Sequence, residues 1–180
     1  MKVIIAYMSQ TGNTRKIAEA IFQEIQAEKE IKELNEIDDL EGYDLAFVGF
    51  PMHGFGAPQE AKSFLEKHCM GKKIALFVTH GAPENFGGLE PWLAECKEAA
   101  TGANVIDMFN CQGEMSQYVI DELLKSDDPE VRSWGEAGPL TRGQPDATRV
   151  ERARLFAREI IRKKVTHFFN LFSPLTKFLS

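Results

Sequence analysis

The sequence predicts one doubly wound α/β domain, a five-stranded parallel sheet covered by helices on both faces. Two observations predict it. Four apolar runs, Val3–Tyr7, Leu45–Phe50, Ile74–Thr79 and Val105–Phe109, are near-continuous rather than alternating, as expected of strands buried on both faces. Between them lie segments whose apolar residues recur at helical spacing, so strand and helix alternate along the chain.

Val3–Tyr7 is the first strand, and Ile17, Ile21 and Ile25 mark the helix after it. Ile31–Leu34 alternates apolar with charged residues and reads as a weak edge strand. Leu45–Phe50 precedes a helix with Ala61, Phe64 and Leu65 on one face. Ile74–Thr79 precedes another, whose apolar face holds Trp92, Leu93, Cys96, Ala99 and Ala100. After Val105–Phe109 the alternation breaks. An insertion at 111–145 holds one helix-like stretch, Ser116–Lys125, and then a Pro- and Gly-rich segment containing Trp134. Connections longer than about 15 residues inside compact domains are usually functional or disordered. This one leaves the carboxyl edge of the sheet, and its readings are a surface decoration, a wall beside a ligand or a docking surface. The last helix runs through Val150, Ala153, Ala157, Ile160 and Ile161, with Asp146, or Thr148 and Glu151, as its cap.

The domain is therefore placed at 1–164, followed by an apolar tail at 165–180 that includes Phe168, Phe169, Phe172 and Phe178. A helix continuing to Phe172 would be about 39 Å long and would overrun the sheet at the edge away from the ligand. The tail is expected to pack on the domain's own flank, to form a homodimer, or to touch an anionic membrane surface through Arg158, Arg162, Lys163 and Lys164.

The length of 180 residues fits one domain, and 43% apolar residues argue against wholesale disorder. A net charge of −6 argues against a nucleic-acid partner. Residues 1–130 are acidic and 131–180 basic, so the body presents a negative surface that aids solubility or steers a basic partner. No stretch of about 18 apolar residues suggests a transmembrane helix. Met1–Met8 is too short for a secretory signal, so a cytoplasmic location is expected. Cys69, Cys96 and Cys111 are odd in number and lack a C-x-x-C pair, which fits a reducing compartment. No Ser–His–Asp arrangement and no metal-ligand spacing is found, so no catalytic residue and no metal site are assigned.

A doubly wound fold binds ligands beyond the carboxyl ends of its strands, where strand order reverses. The first such place holds Ser9, Gln10, Thr11, Gly12, Asn13 and Thr14, directly before the first helix. Free backbone N–H groups and the positive end of the helix dipole favour a phosphate there. Gly12 permits a tight turn, and Ser9, Thr11, Asn13 and Thr14 add side-chain donors. No lysine lies in the loop, which excludes the Gly-Lys phosphate loop of nucleotide hydrolases.

This motif resembles the FMN-phosphate loop of the flavodoxin family. The resemblance covers strand and helix order through about Asn110 and resumes at the last helix. It implies the strand order 2-1-3-4-5, FMN as cofactor, and electron transfer from a reductase to a partner enzyme. In that family two further loops hold the flavin ring. The loop after the third strand is Pro51, Met52, His53, Gly54, Phe55, Gly56, Ala57 and Pro58. Met52 and Phe55 offer contact surface, and Gly54 or Gly56 resembles the peptide that flips toward the ring on reduction. The loop after the fourth strand begins Thr79, His80, Gly81 and contains Phe86 as its one aromatic residue. Family members often sandwich the ring between a tryptophan and a tyrosine, whereas Trp92 and Trp134 are expected to lie elsewhere. His53 and His80 are candidate proton donors. Two alternatives stand beside the electron carrier. One is an FMN-dependent reductase of a small acceptor such as a quinone; the other is a flavin-free relative acting as a binding module.

Overall fold

The computed structural model describes the chain from Met1 to Leu171, with side chains through Lys163. Five strands form one sheet: β1 (Lys2–Tyr7), β2 (Glu28–Glu33), β3 (Leu45–Pro51), β4 (Lys73–His80) and β5 (Asn104–Gln112). Their order is β2-β1-β3-β4-β5, and every pairing is parallel. The helices are α1 (Asn13–Glu24), α2 (Gln59–His68), α3 (Leu89–Glu98), α4 (Gln117–Leu124), α5 (Pro129–Ala137) and α6 (Ala147–Leu171).

Successive side chains of a strand point to opposite faces, so each central strand feeds two cores. Val3, Ile5, Leu45, Phe47, Ala75 and Phe77 pack under α1 and α6 with Ile17, Ile21, Phe156 and Ile160. Ile4, Ala6, Ala46, Val48, Ile74 and Leu76 pack on the other face with Ala61, Phe64 and Leu65 of α2 and Cys96 of α3. Phe47, Phe50 and Phe77 are fully buried, each worth roughly 1.5–3 kcal/mol of transfer from water. The chain leaves β1 for one face through α1 and leaves β3 for the other through α2. That divergence between neighbouring strands opens a crevice at their carboxyl ends.

α6 starts on the expected cap, since Asp146 Oδ1 accepts the Arg149 N–H at 2.9 Å. Its basic face is partly neutralised within the domain. Arg158 pairs with Glu24 of α1 at 2.5 Å and Lys163 with Asp107 of β5 at 2.6 Å. Exposed pairs of this kind add little stability, about 0–1 kcal/mol, but they fix how α6 lies across α1 and β5. The helix backbone continues to Leu171. The expectations for tail residues 172–180, and for the side chains from 164 on, lie outside the described residues. Among the described residues no helix is long and apolar enough to cross a membrane.

Two expectations are corrected. The edge strand is Glu28–Glu33, three residues ahead of Ile31 at its start, and Leu34 opens a short 3-10 turn. β2 pairs with β1 along its charged residues from Lys2↔Glu28 onward, so backbone hydrogen bonding outweighs side-chain pattern at an edge. The segment around Trp134 is a helix rather than a Pro/Gly loop. Asp128 caps it by accepting the Glu130 N–H at 2.8 Å, and Pro129 occupies the first turn.

Gly49 of β3 pairs with Phe77 of β4, and a Cβ at Gly49 would fall inside the Phe77 ring. Gly49→Ala is expected to lower stability by about 1–3 kcal/mol through overpacking. The urea midpoint should fall at constant m-value, and Phe77→Leu should restore part of the loss. A midpoint equal to that of the parent would contradict this packing.

Candidate functional site

The loop between β1 and α1 sits at the crevice. Gly12 adopts φ 89°, the left-handed conformation that a side chain would resist, and so turns the chain directly into α1. Ser9 Oγ accepts the N–H groups of Gly12 and Arg15, both at 3.2 Å, which leaves its hydroxyl hydrogen to donate outward. Thr11 Oγ1 likewise accepts from Asn13 Nδ2 at 3.1 Å and retains its own hydrogen. Asn13 Nδ2 also donates to the Glu114 carbonyl at 2.8 Å, pinning the loop to the start of the insertion. That contact depends on Gly113, where a Cβ would come 2.7 Å from Asn13 Nδ2. Thr14 is buried, and its hydroxyl shares a 2.8 Å hydrogen bond with Thr79 at the end of β4, which braces the loop against the sheet. Gln10 is exposed at the tip of the loop.

The loop after β3 is a tight two-residue turn. His53 and Gly56 exchange N–H···O bonds of 2.9 and 3.0 Å, and Gly54 and Phe55 between them have φ 52° and 71°. Positive φ at both central residues is the type I′ arrangement, and Phe55 is a bulky residue in it. Gly54 is thus the glycine with the special conformation, while Gly56 has none. His53 is exposed on this turn. Pro51 closes β3, paired with Thr79, and the Met52 N–H reaches the Thr79 carbonyl at 2.8 Å.

Beyond β4 lies a cavity of about 490 Å³, within the range of small-ligand sites. Met52, Gly54, Phe55, His80, Gly81 and Phe86 line it, as the two loops predict. Gln112, Met115, Val119, Leu123, Val131, Trp134, Leu140 and Thr141 line it as well, so the insertion is one of its walls. Trp92 lines it too, which corrects the expectation that both tryptophans lie elsewhere. Phe55 stands 4.6 Å from Trp92, Phe86 5.2 Å from Trp92, and Trp134 5.8 Å from Trp92 between ring centroids. Trp92 sits beside the buried face of α3 formed by Leu89, Leu93 and Cys96, so helical spacing alone counted it as core. Trp134 had a readable signal in the Asp128-Pro129 helix start, which Gly135 and Gly138 obscured. A second cavity of about 310 Å³ contains Thr11, Asn13 and Arg142, and shares Met115 and Thr141 with the first. The two cavities are therefore neighbours, with Met115 and Thr141 lining both.

The remaining polar groups hold the walls in place. Glu84 receives Arg149 at 2.8 Å, Arg152 at 2.6 Å and the Gln112 N–H at 3.3 Å. Burial pushes its carboxyl up, but the Arg152 and Gln112 hydrogen bonds and the two arginine charges outweigh this and hold it below the ordinary value. Cys111 is buried, and burial pushes its thiol up to about 12, so it stays protonated. Among the described residues no group of His, Cys, Asp or Glu could hold a metal ion.

His80 is buried with both ring nitrogens engaged, Nδ1 with the Ala82 carbonyl at 3.0 Å and Nε2 with Asn110 Oδ1 at 3.1 Å. Burial lowers its pKa below the ordinary 6.5, against the raising effect of the Asn110 and Ala82 bonds. The unfolded chain therefore binds a proton here first as pH falls. Stability from this group is complete above the unfolded value of 6.5 and declines below it, toward the lower folded value. Urea midpoints taken from about pH 8 down to about pH 5 should fall less steeply for His80→Gln than for the parent. Equal slopes would mean that the folded site accepts the proton freely.

The flavodoxin domain model matches residues 4–136. The flavodoxin-like domain-containing protein BilS of Clostridioides difficile (strain CD3) is 33% identical over 174 residues, which cover 91% of this chain and 98% of BilS. A flavodoxin from the domain Archaea aligns over 91% of this chain and 99% of its own, with TM-score 0.58 and 17% identity. A flavoprotein from Lactobacillus acidophilus NCFM, solved in complex with FMN, aligns over 67% and 97% with TM-score 0.50 and 23% identity. The two structures speak to the fold, and the matched residues run from β1 through the first-strand loop into α5. This chain belongs to the flavodoxin family.

Proposed function

We propose that the protein binds FMN without a covalent bond and carries electrons between a reductase and an acceptor protein. The observation that carries this reading is a pair of neighbouring cavities that share Met115 and Thr141, one reached by Thr11 and Asn13 of the first-strand loop and one lined by aromatic rings, with His80 the one titratable side chain among the residues lining the aromatic one. A phosphate monoester suits the first-strand loop, where the Ser9 and Thr11 hydroxyls and the Asn13 and Thr14 N–H groups are free to donate. A flat, largely apolar ring suits the cavity beyond β4, where Met52, Phe55 and Phe86 supply surface. FMN, when bound, supplies the redox chemistry, and the chain supplies position and electrostatics.

The residues around the ring orient it and exclude water. His80, whose two ring nitrogens face the Ala82 carbonyl and Asn110 Oδ1, is poorly placed to give a proton to an organic acceptor. No carboxylate, lysine or thiol lines that cavity among the described residues, which favours passing electrons over reducing a small molecule at the site. The acidic body suits docking of basic partner proteins. A second reading, an FMN-dependent reductase of a small acceptor such as a quinone, draws on the cavity being walled by the insertion.

A visible spectrum of the purified protein with FMN tests the cofactor, and absence of a protein-perturbed flavin band would refute it. An NAD(P)H oxidation assay separates the two roles. The carrier should show slow direct turnover with quinones but fast reduction when a reductase is added, whereas fast quinone turnover alone would favour the enzyme.

Ser9→Ala combined with Thr11→Ala should weaken FMN binding, since each hydrogen bond to a charged acceptor is worth roughly 1.5–3 kcal/mol. Riboflavin, which lacks the phosphate, should bind the variant as it binds the parent. Thr14→Val should act differently. It orphans the buried Thr79 hydroxyl and lowers stability by about 1–3 kcal/mol, with a smaller effect on FMN than the double variant. Calorimetric titration with both flavins checks the first claim and urea unfolding the second.

A further inference from the structure

We infer that Trp134, carried by the insertion, is part of the flavin-ring site and determines how tightly the ring is held. This rests on the FMN reading above. The loops after β3 and β4 bring only phenylalanines, Phe55 and Phe86, to the place where a three-ring heterocycle needs flat partners. The Phe55 and Phe86 rings pack against Trp92 with centroids 4.6 and 5.2 Å away and tilts of 35° and 42°, so the three form one face-packed cluster. Trp134 packs edge-to-face on that cluster, at 77° to Phe55, 74° to Phe86 and 76° to Trp92, with centroids 5.8–6.3 Å away. All four rings line the one cavity, so a flat ring that enters it meets the Trp134 indole together with the residues of the two loops.

The place of Trp134 in this cluster is set by the insertion and not by chance proximity. α5 lies so close to α4 that a Cβ at Gly135 would come 3.0 Å from the Leu124 backbone nitrogen. The Thr141 hydroxyl then fastens the pair to the sheet edge, accepting the Met115 N–H at 2.8 Å and donating to the Gly138 carbonyl at 2.7 Å. Gly81 leaves room for Met115, whose Cε would otherwise be 2.9 Å from a Cβ there. The strand-end loop, the start of the insertion and α5 are therefore set against one another with little slack. That restricts the approach of the Trp134 indole to the cavity, so its contribution to binding carries a reduced ordering cost.

The test uses the full chain, with FMN and riboflavin as probes. Trp134→Leu should weaken both flavins alike, by roughly tenfold, because the lost contact is at the ring and not at the phosphate. The residual fluorescence of the bound flavin should rise, since contact with an indole quenches it. Trp134→Phe should recover part of the affinity. Tyr118→Ser, which alters an exposed residue of the insertion that does not line the cavity, should leave both affinities within about twofold. Circular dichroism and a thermal melt establish that each variant is folded. If the parent binds neither flavin, the FMN reading itself fails. If the parent binds both, and folded Trp134→Leu matches it in affinity and in flavin fluorescence, the role assigned to Trp134 is overturned. Loss of FMN affinity with riboflavin unaffected would also overturn it, by placing Trp134 at the phosphate end.

Discussion

The sheet has to be buried on both sides, and most of the architecture follows from that constraint. Residues of β1, β3 and β4 are apolar at odd and even positions alike, so neither face can be left to water. Parallel strands need crossovers, and here they deliver α1 to one face, where α6 joins it after the last strand, and α2 and α3 to the other. Because β1 and β3 are neighbours whose chains depart to opposite faces, the crevice between their exits cannot be filled by either helix. Polar backbone gathers there without a secondary-structure partner, and the Ser9–Asn13 loop occupies it.

The site is then stabilised by a few contacts between elements far apart in sequence. Thr14 to Thr79 joins the helix start to β4. Asn13 to the Glu114 carbonyl joins the same turn to the insertion. Glu84 draws together the loop after β4, the Gln112 backbone and two arginines of α6. Each contact is modest by itself, but together they hold three loops and a helix pair at one sheet edge, where a bound ligand would lose little to reorganisation. The basic charge of α6, which looks in sequence like a separate property of the C-terminal third, is in part the structural complement of Glu24, Glu84 and Asp107.

The insertion changes the character of this family member. Its helices pack on each other and turn apolar residues toward the aromatic cavity, so that cavity has a wall on the side of β5. A walled cavity restricts what can enter it and from which direction. It also places Trp134 opposite residues that the two preceding loops supply, which links the insertion to the site chemically as well as spatially.

The sequence by itself determined the layer architecture, four of the five strands to within a few residues, and the Ser9–Thr14 motif. These are local signals: apolar runs long enough to be buried, helical spacing between them, and donor-rich residues placed just before a helix. It also located the loops after β3 and β4 that line the aromatic cavity, because strand ends are readable from the end of an apolar run. The tertiary structure alone decided which side chains of those segments meet. Thr14 and Asn13 are adjacent in one motif, yet one faces β4 and the other the insertion, a difference set by the direction of two helical residues 100° apart. Trp92 lies next to a core face and Trp134 in a glycine-bearing segment, and nothing local to either marks them as neighbours. Only the packing of α3 and α5 against the same cavity brings their rings together, since contact between distant segments depends on how whole elements are placed and not on the spacing within any one of them.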